Sequence, residues 1–561
     1  MKTQLAIMMA LIFGILFSQV EMNYSYEMKY GDGKEVRRQA SNNPSITDYS
    51  YFENLLDINT YFGDNIYIYT QLEYSNPPLY GYSKTTIDSM INTYYVEYSN
   101  DRLNMKLGDI YELYGRGLSF YTMQNQSIDY NNSLKGLSFN YFIRNNLKIS
   151  SFFGKGEYAF RSSPANRKTD YKFDTNALFG SIDYENQLFG YFQYTYLNQK
   201  SMLDKELINS IYFTKSEIGL ELNDRCDLKH GCDSKPLESA DTLSIKNHNL
   251  SWNYIFGYFD VYIDKSWIYY DKIHGNNIFG SRYYTSIYTE ICGLGITYEF
   301  KNYYTPYLLK SLSNPPIGYR EGSSILASRN SHSMNFGNEV GHQIDFNKNI
   351  NGTLNFLGNI SISNRRQNQV KDMLSLIELL SLEDDLDSYS YYPFRQMYLE
   401  LNGWSKSDKL YYKLGLDYFT ELNYIETGKN TFALTIPTQW VYKLSNVSSI
   451  TTYLETQLKT EKQPDPDDFS LSDEKKYTNY YISISYSLLG RWILTGYYDL
   501  EVKDNETNKW VGSDLSYYIS SETQVSLFYG SQKGGLVCAN GICAEQPGFE
   551  DGVKITFRSL F

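Results

Sequence analysis

Apolar and polar residues alternate strictly along most of the chain. In RLNMKLG (102–108), Leu103, Met105 and Leu107 fall on one face and Arg102, Asn104 and Lys106 on the other. KGLSFNYFI sets Leu137, Phe139, Tyr141 and Ile143 against Ser138 and Asn140, and YISISYSLL sets Ile482, Ile484, Tyr486 and Leu488 against Ser483, Ser485 and Ser487. Period two over such lengths predicts β-strands with one apolar and one polar face.

The connections narrow the fold. Tight turns are expected at 100–101, 144–146, 185–187, 301–302 and 520–522, and long polar segments at 76–89, 109–133, 154–172, 224–242, 271–285, 313–337, 363–391, 461–475 and 534–549. Short and long connections taking turns is the rhythm of a single large antiparallel up-and-down transmembrane β-barrel, turns at one rim and external loops at the other. The rhythm implies about 26 strands, within roughly 22 to 26, from 22–30 to 549–561. No four-strand repeat points to a propeller and no linker to a sandwich array.

The two faces suit lipid outside and water or polar packing inside. Ile66, Ile68, Leu72, Leu147, Ile149, Tyr412, Leu414 and Leu416 are assigned outward; Gln71, Glu73, Lys148, Lys413 and Asp417 inward. Composition supports this only through its aromatics. Hydrophobic residues are 42% of the chain and mean hydropathy is -0.47, values that alone describe a soluble protein. The 58 Tyr and 30 Phe suit a surface that meets lipid and water together. A net charge of -13 gives no basic patch, so no nucleic-acid partner is expected.

MKTQLAIMMALIFGILFSQ has a basic start, an apolar run too short to span comfortably, and small Ser18 at a cleavage point. Residues 1–18 are therefore expected to be a cleaved signal peptide and 19–561 the barrel, with no separate plug domain. Any obstruction of the lumen must come from loops. The loop 108–133 carries Asp109, Glu112 and Arg116; the loop 314–342 carries Arg320, Glu321, Arg329 and Glu339. Opposed charges on folded-in loops form a candidate constriction, against the alternative of ordinary solvated loops. In 368–390, Val370, Met373, Leu374, Ile377 and Leu380 have helical spacing, fit for a lid or for a partner protein.

The five cysteines divide into two close pairs and one single. Cys226 with Cys232, and Cys538 with Cys543, each close a short ring around Gly, favourable for local disulfides worth ~2–3 kcal/mol. Cys292 shares a strand face with Leu294, Ile296 and Tyr298 and is assigned to lipid. His230 lies inside the first pair, but Cys-x5-Cys with one His matches zinc spacings poorly. There is no G-x-S-x-G, H-E-x-x-H or phosphate loop. With five His in all, His332 and His342 are the weak candidates for a base, and the chain is expected not to be an enzyme and to need no cofactor or metal.

Three stretches resemble the uncharacterised Bacteroidota-type outer-membrane β-barrel proteins: GDIYELYGRGLSF (108–120), YREGSSILASRNSH through NEVGHQIDF (319–346), and GGLVCANGICAEQPGFEDGVKITFRSLF. The resemblance implies a barrel in a Gram-negative outer membrane and no particular activity. The ending VKITFRSLF places Val553, Ile555 and Phe557 outward with Phe561, and resembles the signal read by barrel-assembly machinery, with Phe557 and Phe561 as its marks. Function is expected to be a porin-like pore or transporter for small polar solutes. The alternative is a docking barrel whose loops bind a partner protein or surface glycan.

Overall fold

The structure, a computed structural model, describes residues 20–37, 45–79, 87–126, 128, 130–160, 171–202, 226–227, 231–232, 242–273, 276–304, 312–322, 324–330, 332, 338–366, 391–423, 429–464, 472–504, 506–539, 542–546 and 548–560. Successive strands pair antiparallel into one sheet of 24 strands. The sheet closes because the first strand, Val20–Arg37, pairs with both the second, Ser45–Phe62, and the last, Phe549–Leu560. The seam runs from Ser25 opposite Leu560 to Lys34 opposite Glu550, with a bulge after Asp32. Across it Arg558 pairs with Glu27 at 2.8 Å, and Tyr26 meets Phe557 with ring centroids 5.9 Å apart. Phe561, His230, the 367–390 segment and residues 1–19, with the expected signal peptide at 1–18, lie outside the described residues.

The expected rhythm of connections holds, with corrections. The closed sheet has 24 strands, two fewer than the central expectation of about 26 drawn from the barrel range. One turn was misplaced. Lys301 and Asn302 lie inside the strand Leu294–Tyr304, and the chain instead reverses at Cys292 and Gly293, with φ of 53° and 71°. Cys292 therefore sits exposed in a turn, not on a lipid-facing strand. The neighbouring expectation also moves: 276–285 is not loop but part of the strand Asn276–Ile291, opposite Phe259–Ile273. Its run IFGSRYYTSIY still alternates, but the Gly, Ser and Asn around it imitate a loop. Strands also run further into the long-loop end than the hydrophobic pattern suggests, as in Leu147–Phe160 and Ser448–Pro464.

The barrel is apolar outside and polar inside. Leu494 is 54% exposed while Asn249 and Asp264 are 0% exposed, the reverse of a water-soluble fold. Ile182, Leu250, Ile484, Val511 and Leu527 share the exposed outer face, the surface a bilayer covers. The inner face is satisfied by side-chain ladders between neighbouring strands. Asn249 donates to Asp264 (2.5 Å), Asn359 to Asp345 (2.7 Å) and Asn479 to Gln457 (2.8 Å). Lys148 meets Asp183 at 2.9 Å and Lys413 meets Glu400 at 3.0 Å.

The facing is testable on the closing strand. Ile555 points outward, whereas Lys554 on the inner face reaches Gln532 at 2.6 Å and lies over the Phe528 and Phe549 rings. Ile555→Arg should cost ~2–4 kcal/mol near the bilayer midplane, and Lys554→Ala about 1 kcal/mol. Urea unfolding in lipid vesicles measures both, and a cost for Ile555→Arg no larger than that for Lys554→Ala would mean that the facing is wrong.

Candidate functional site

Two loops fold into the lumen and bind each other and the wall. The first leaves the strand Leu103–Ile110 and returns at Leu134; the second covers the described residues 312–332. Their backbones meet directly: Tyr121 N–H donates to the Leu312 carbonyl (2.9 Å) and Asn314 N–H to the Gly117 carbonyl (3.1 Å). Arg282, buried on the inner wall, bridges the two by donating to the Leu118 carbonyl (3.2 Å) and to Ser313 Oγ (2.9 Å).

Asp109 anchors the base of the first loop, its carboxylate accepting from Tyr94 N–H (2.8 Å) and Ser133 Oγ (2.7 Å). The loop then plants an apolar foot in the lumen. Tyr114 and Phe120 pack with Phe152, Phe179, Leu134 and Leu197, and the Phe152 and Phe179 rings stack at 4.5 Å. Burying each such ring stabilises the loop by roughly 1.5–3 kcal/mol. Beyond it comes the tip Gly115–Arg116–Gly117. Gly115 N–H donates to Gln193 (3.1 Å), and Asn247 donates to the Leu118 carbonyl (3.2 Å). Further on, Gln124 donates to Gln71 (2.7 Å) on the strand Ile66–Ser75. The first loop thus touches separated parts of the inner wall.

The second loop is held by charge. Glu455 accepts from both Ile325 and Leu326 N–H at 2.8 Å, filling the role of a cap on that turn, and Gln457 donates to the Leu326 carbonyl at 2.9 Å. Arg329 forms a two-bonded pair with Asp499. Lys301 bonds the Ile317 carbonyl and Glu339, and Tyr303 donates to the Pro316 carbonyl at 2.9 Å. At the end of the loop, buried His332 stands between Glu421 (2.6 Å) and Glu339 (3.3 Å), its ring stacked on Phe394 at 4.1 Å. Charge-assisted bonds of this kind are about twice as strong as neutral ones.

The expected site residues are gathered in these loops. Arg116 lies over Tyr262 at 3.9 Å and Arg320 over Tyr398 at 4.0 Å, while Arg329 takes Asp499 of the wall. Glu112 and Glu321 are half-buried beside them; burial pushes the Glu112 carboxyl up. His332 is an anchor between two carboxylates. His342 lies on the opposite face from Glu339, bonded to Tyr298 at 2.7 Å and packed on Phe300. Sequence reasoning missed the wall partners Arg282, Lys301, Glu421, Glu455 and Asp499. Their signal was only a charged residue at an inward strand position, which by itself does not say that a loop is its partner.

The backbone sets Cys226 directly opposite Cys232, and Cys538 opposite Cys543 in the pair Gly535–Ala539 with Ile542–Gln546. Among the described residues no group of His, Cys, Asp and Glu is arranged to hold a metal ion.

Comparison with known proteins places the chain in a family. The profile described as a family of unknown function (DUF6029) matches residues 1–214 and 314–561, and the chain belongs to that family. No curated protein matches. Among solved structures it is similar to the siderophore receptor PirA from Acinetobacter baumannii, at 9% identity and TM-score 0.48, covering 96% of this chain and 80% of that one. It is also similar to the P pilus usher (PapC) translocation pore, at 9% identity and TM-score 0.40, covering 96% and 99%. A BenF-like porin from Pseudomonas fluorescens Pf-5 is similar at 9% identity and TM-score 0.38, covering 76% and 98%. At such identities no role carries over from them.

The His332 cluster makes a pH prediction. Burial by itself lowers the imidazole's pKa, but Glu421 and Glu339 outweigh it and the net shift is upward. A raised folded value stabilises below the ordinary imidazole value of about 6.5, and the stabilisation is lost as pH climbs through the folded value. Amide exchange across 312–332 should therefore speed up with pH beyond its intrinsic pH dependence, and His332→Gln should remove that excess. An identical excess in His332→Gln would show that another group controls the loop.

Proposed function

We propose that this protein is an outer-membrane barrel that passes small polar solutes through a lumen narrowed by its own two inner loops. The observation that carries the proposal is the wall-to-wall arrangement of those loops, Gln71 to Asp499, inside a closed sheet with a polar inner face. A barrel of this size left unfilled is a wide aqueous hole; loops cross-linked at this density turn it into a defined path. The exposed apolar exterior fits lipid, the short turns fit the periplasmic side, and the long loops fit the cell exterior. Export by a cleaved signal at 1–18 and insertion by the barrel-assembly machinery, with Phe557 and Phe561 as its recognition residues, complete the proposal, as does a Gram-negative, Bacteroidota-type host.

In this reading the two cysteine pairs staple external hairpins. Directly opposed residues in an antiparallel pair have Cα atoms about 4.5–5.5 Å apart, inside the range disulfides accept. Alkylation of the purified protein should label Cys292 alone, with Cys226, Cys232, Cys538 and Cys543 labelled only after reduction. Labelling of all five without reductant would remove the staples.

Planar-bilayer recording tests the path itself. The wild-type barrel should conduct, and replacing 314–330 with a short Gly/Ser link should raise the conductance severalfold. Absence of current in both proteins would leave the docking reading in its place.

A further inference from the structure

We propose that Arg116 is the lumen residue that binds the solute, and that the solute presents a carboxylate or phosphate group. The inference rests on the lumen being a solute path, and deepens that reading by naming what the path recognises.

The backbone at the loop tip is strained. Gly115, Arg116 and Gly117 all have positive φ, at 57°, 43° and 90°. The glycines are required by contact. A Cβ on Gly117 would lie 2.1 Å from the Asn314 carbonyl oxygen, and one on Gly115 would lie 2.8 Å from Asn249 Oδ1. Arg116 has no such reason to be where it is. A left-handed conformation costs a non-glycine residue about 1–2 kcal/mol, and a third glycine would make this turn without that cost. What the strain retains is the side chain.

That side chain is presented, not consumed. Arg116 is exposed between two buried glycines. Its guanidinium lies 3.9 Å from the centroid of Tyr262 and 5.7 Å from that of Tyr284, with one long contact of 3.5 Å to the Tyr284 hydroxyl. The neighbouring carboxylates Asp264 and Glu299 attract the guanidinium but stand outside ion-pair distance of it, and each has a hydrogen-bond donor of its own. Asp264 accepts from Asn249 (2.5 Å) and from the Tyr262 hydroxyl (2.9 Å), and Glu299 accepts from the Tyr284 hydroxyl (2.5 Å). Among the described residues, Arg116 forms no ion pair, in contrast to Arg329 with Asp499. A guanidinium held against an aromatic face keeps its planar fork for a bidentate oxyanion. Since the loop tip is fixed by Gln193, Asn247 and Asn314, little ordering is left for the bound state.

The test is single-channel recording in potassium chloride with succinate or inorganic phosphate added to one side. The wild type should favour anions in its reversal potential, and at least one of the two additives should block its current; comparing them distinguishes carboxylate from phosphate. Arg116→Gln should weaken the block about tenfold or more and reduce the anion preference. Arg116→Lys should keep the preference and lose the block, because charge remains while the fork does not. Arg116→Gly relieves the strain, so it should assemble at least as well as wild type yet lose the block, which a structural role would not produce. Block and preference unchanged in Arg116→Gln would overturn the inference. Should the wild type pass no current, the pore reading falls, and calorimetric titration of the refolded barrel decides this one separately. Binding of succinate or phosphate that disappears in Arg116→Gln sustains it, and no binding to wild type ends it.

Discussion

Pairing of Val20–Arg37 with Phe549–Leu560 is the constraint on which the rest depends. A sheet exposed to lipid has no water to satisfy an unpaired edge, so closure is obligatory and not merely favourable. Once closed, the period-two pattern has only one arrangement open to it. Apolar positions such as Ile555 and Leu527 face out, and Lys554 and its neighbours face a lumen that the sheet cannot fill by itself. The seam uses both kinds of contact: Tyr26 against Phe557 on the outer face and Arg558 with Glu27 on the inner.

The inner loops follow from that unfilled lumen. Charged side chains on the wall are expensive to leave half-desolvated, and each finds a loop group or a neighbour on the wall. Glu455 receives two backbone N–H groups, Asp499 receives Arg329, and Lys301 receives the Ile317 carbonyl together with Glu339. The partners are mutually dependent. Removal of a loop strands buried charges on the wall, and removal of a wall charge leaves the loop groups bonded to it without that partner. Anchors on so many separate strands argue that the loops set a fixed aperture.

Fold and faces were legible in the chain because alternation is a local property. The stretches 102–108, 137–143 and 481–489 each declare their faces unaided, and the closed sheet confirms the assignments of Ile68, Gln71, Leu414 and Asp417. Errors arose where local signals compete. Lys301 and Asn302 look like a turn because both are polar, but Lys301 is an inward wall residue whose ammonium meets a loop carbonyl. Cys292 and Gly293 look like strand because apolar residues flank them. The loops at 108–133 and 314–342 stood out by length and charge, yet their partners did not: which wall strand Arg116 or His332 meets is decided by closure around the barrel, information spread over the whole chain.

The division of labour among the arginines sharpens that last point. Arg282 and Arg329 are spent on holding the loops, each with its donors directed at a loop carbonyl, a serine or a wall carboxylate. Arg116 differs in being strained, exposed and, among the described residues, without an ionic partner. Glycine stands at both flanking positions, where a side chain would collide, and Arg116 stands between them at φ 43°. On the proposed reading, the Gly-Arg-Gly tip marks where the packing requirements of the barrel stop and a requirement imposed by the solute begins, and it does so through three consecutive backbone angles.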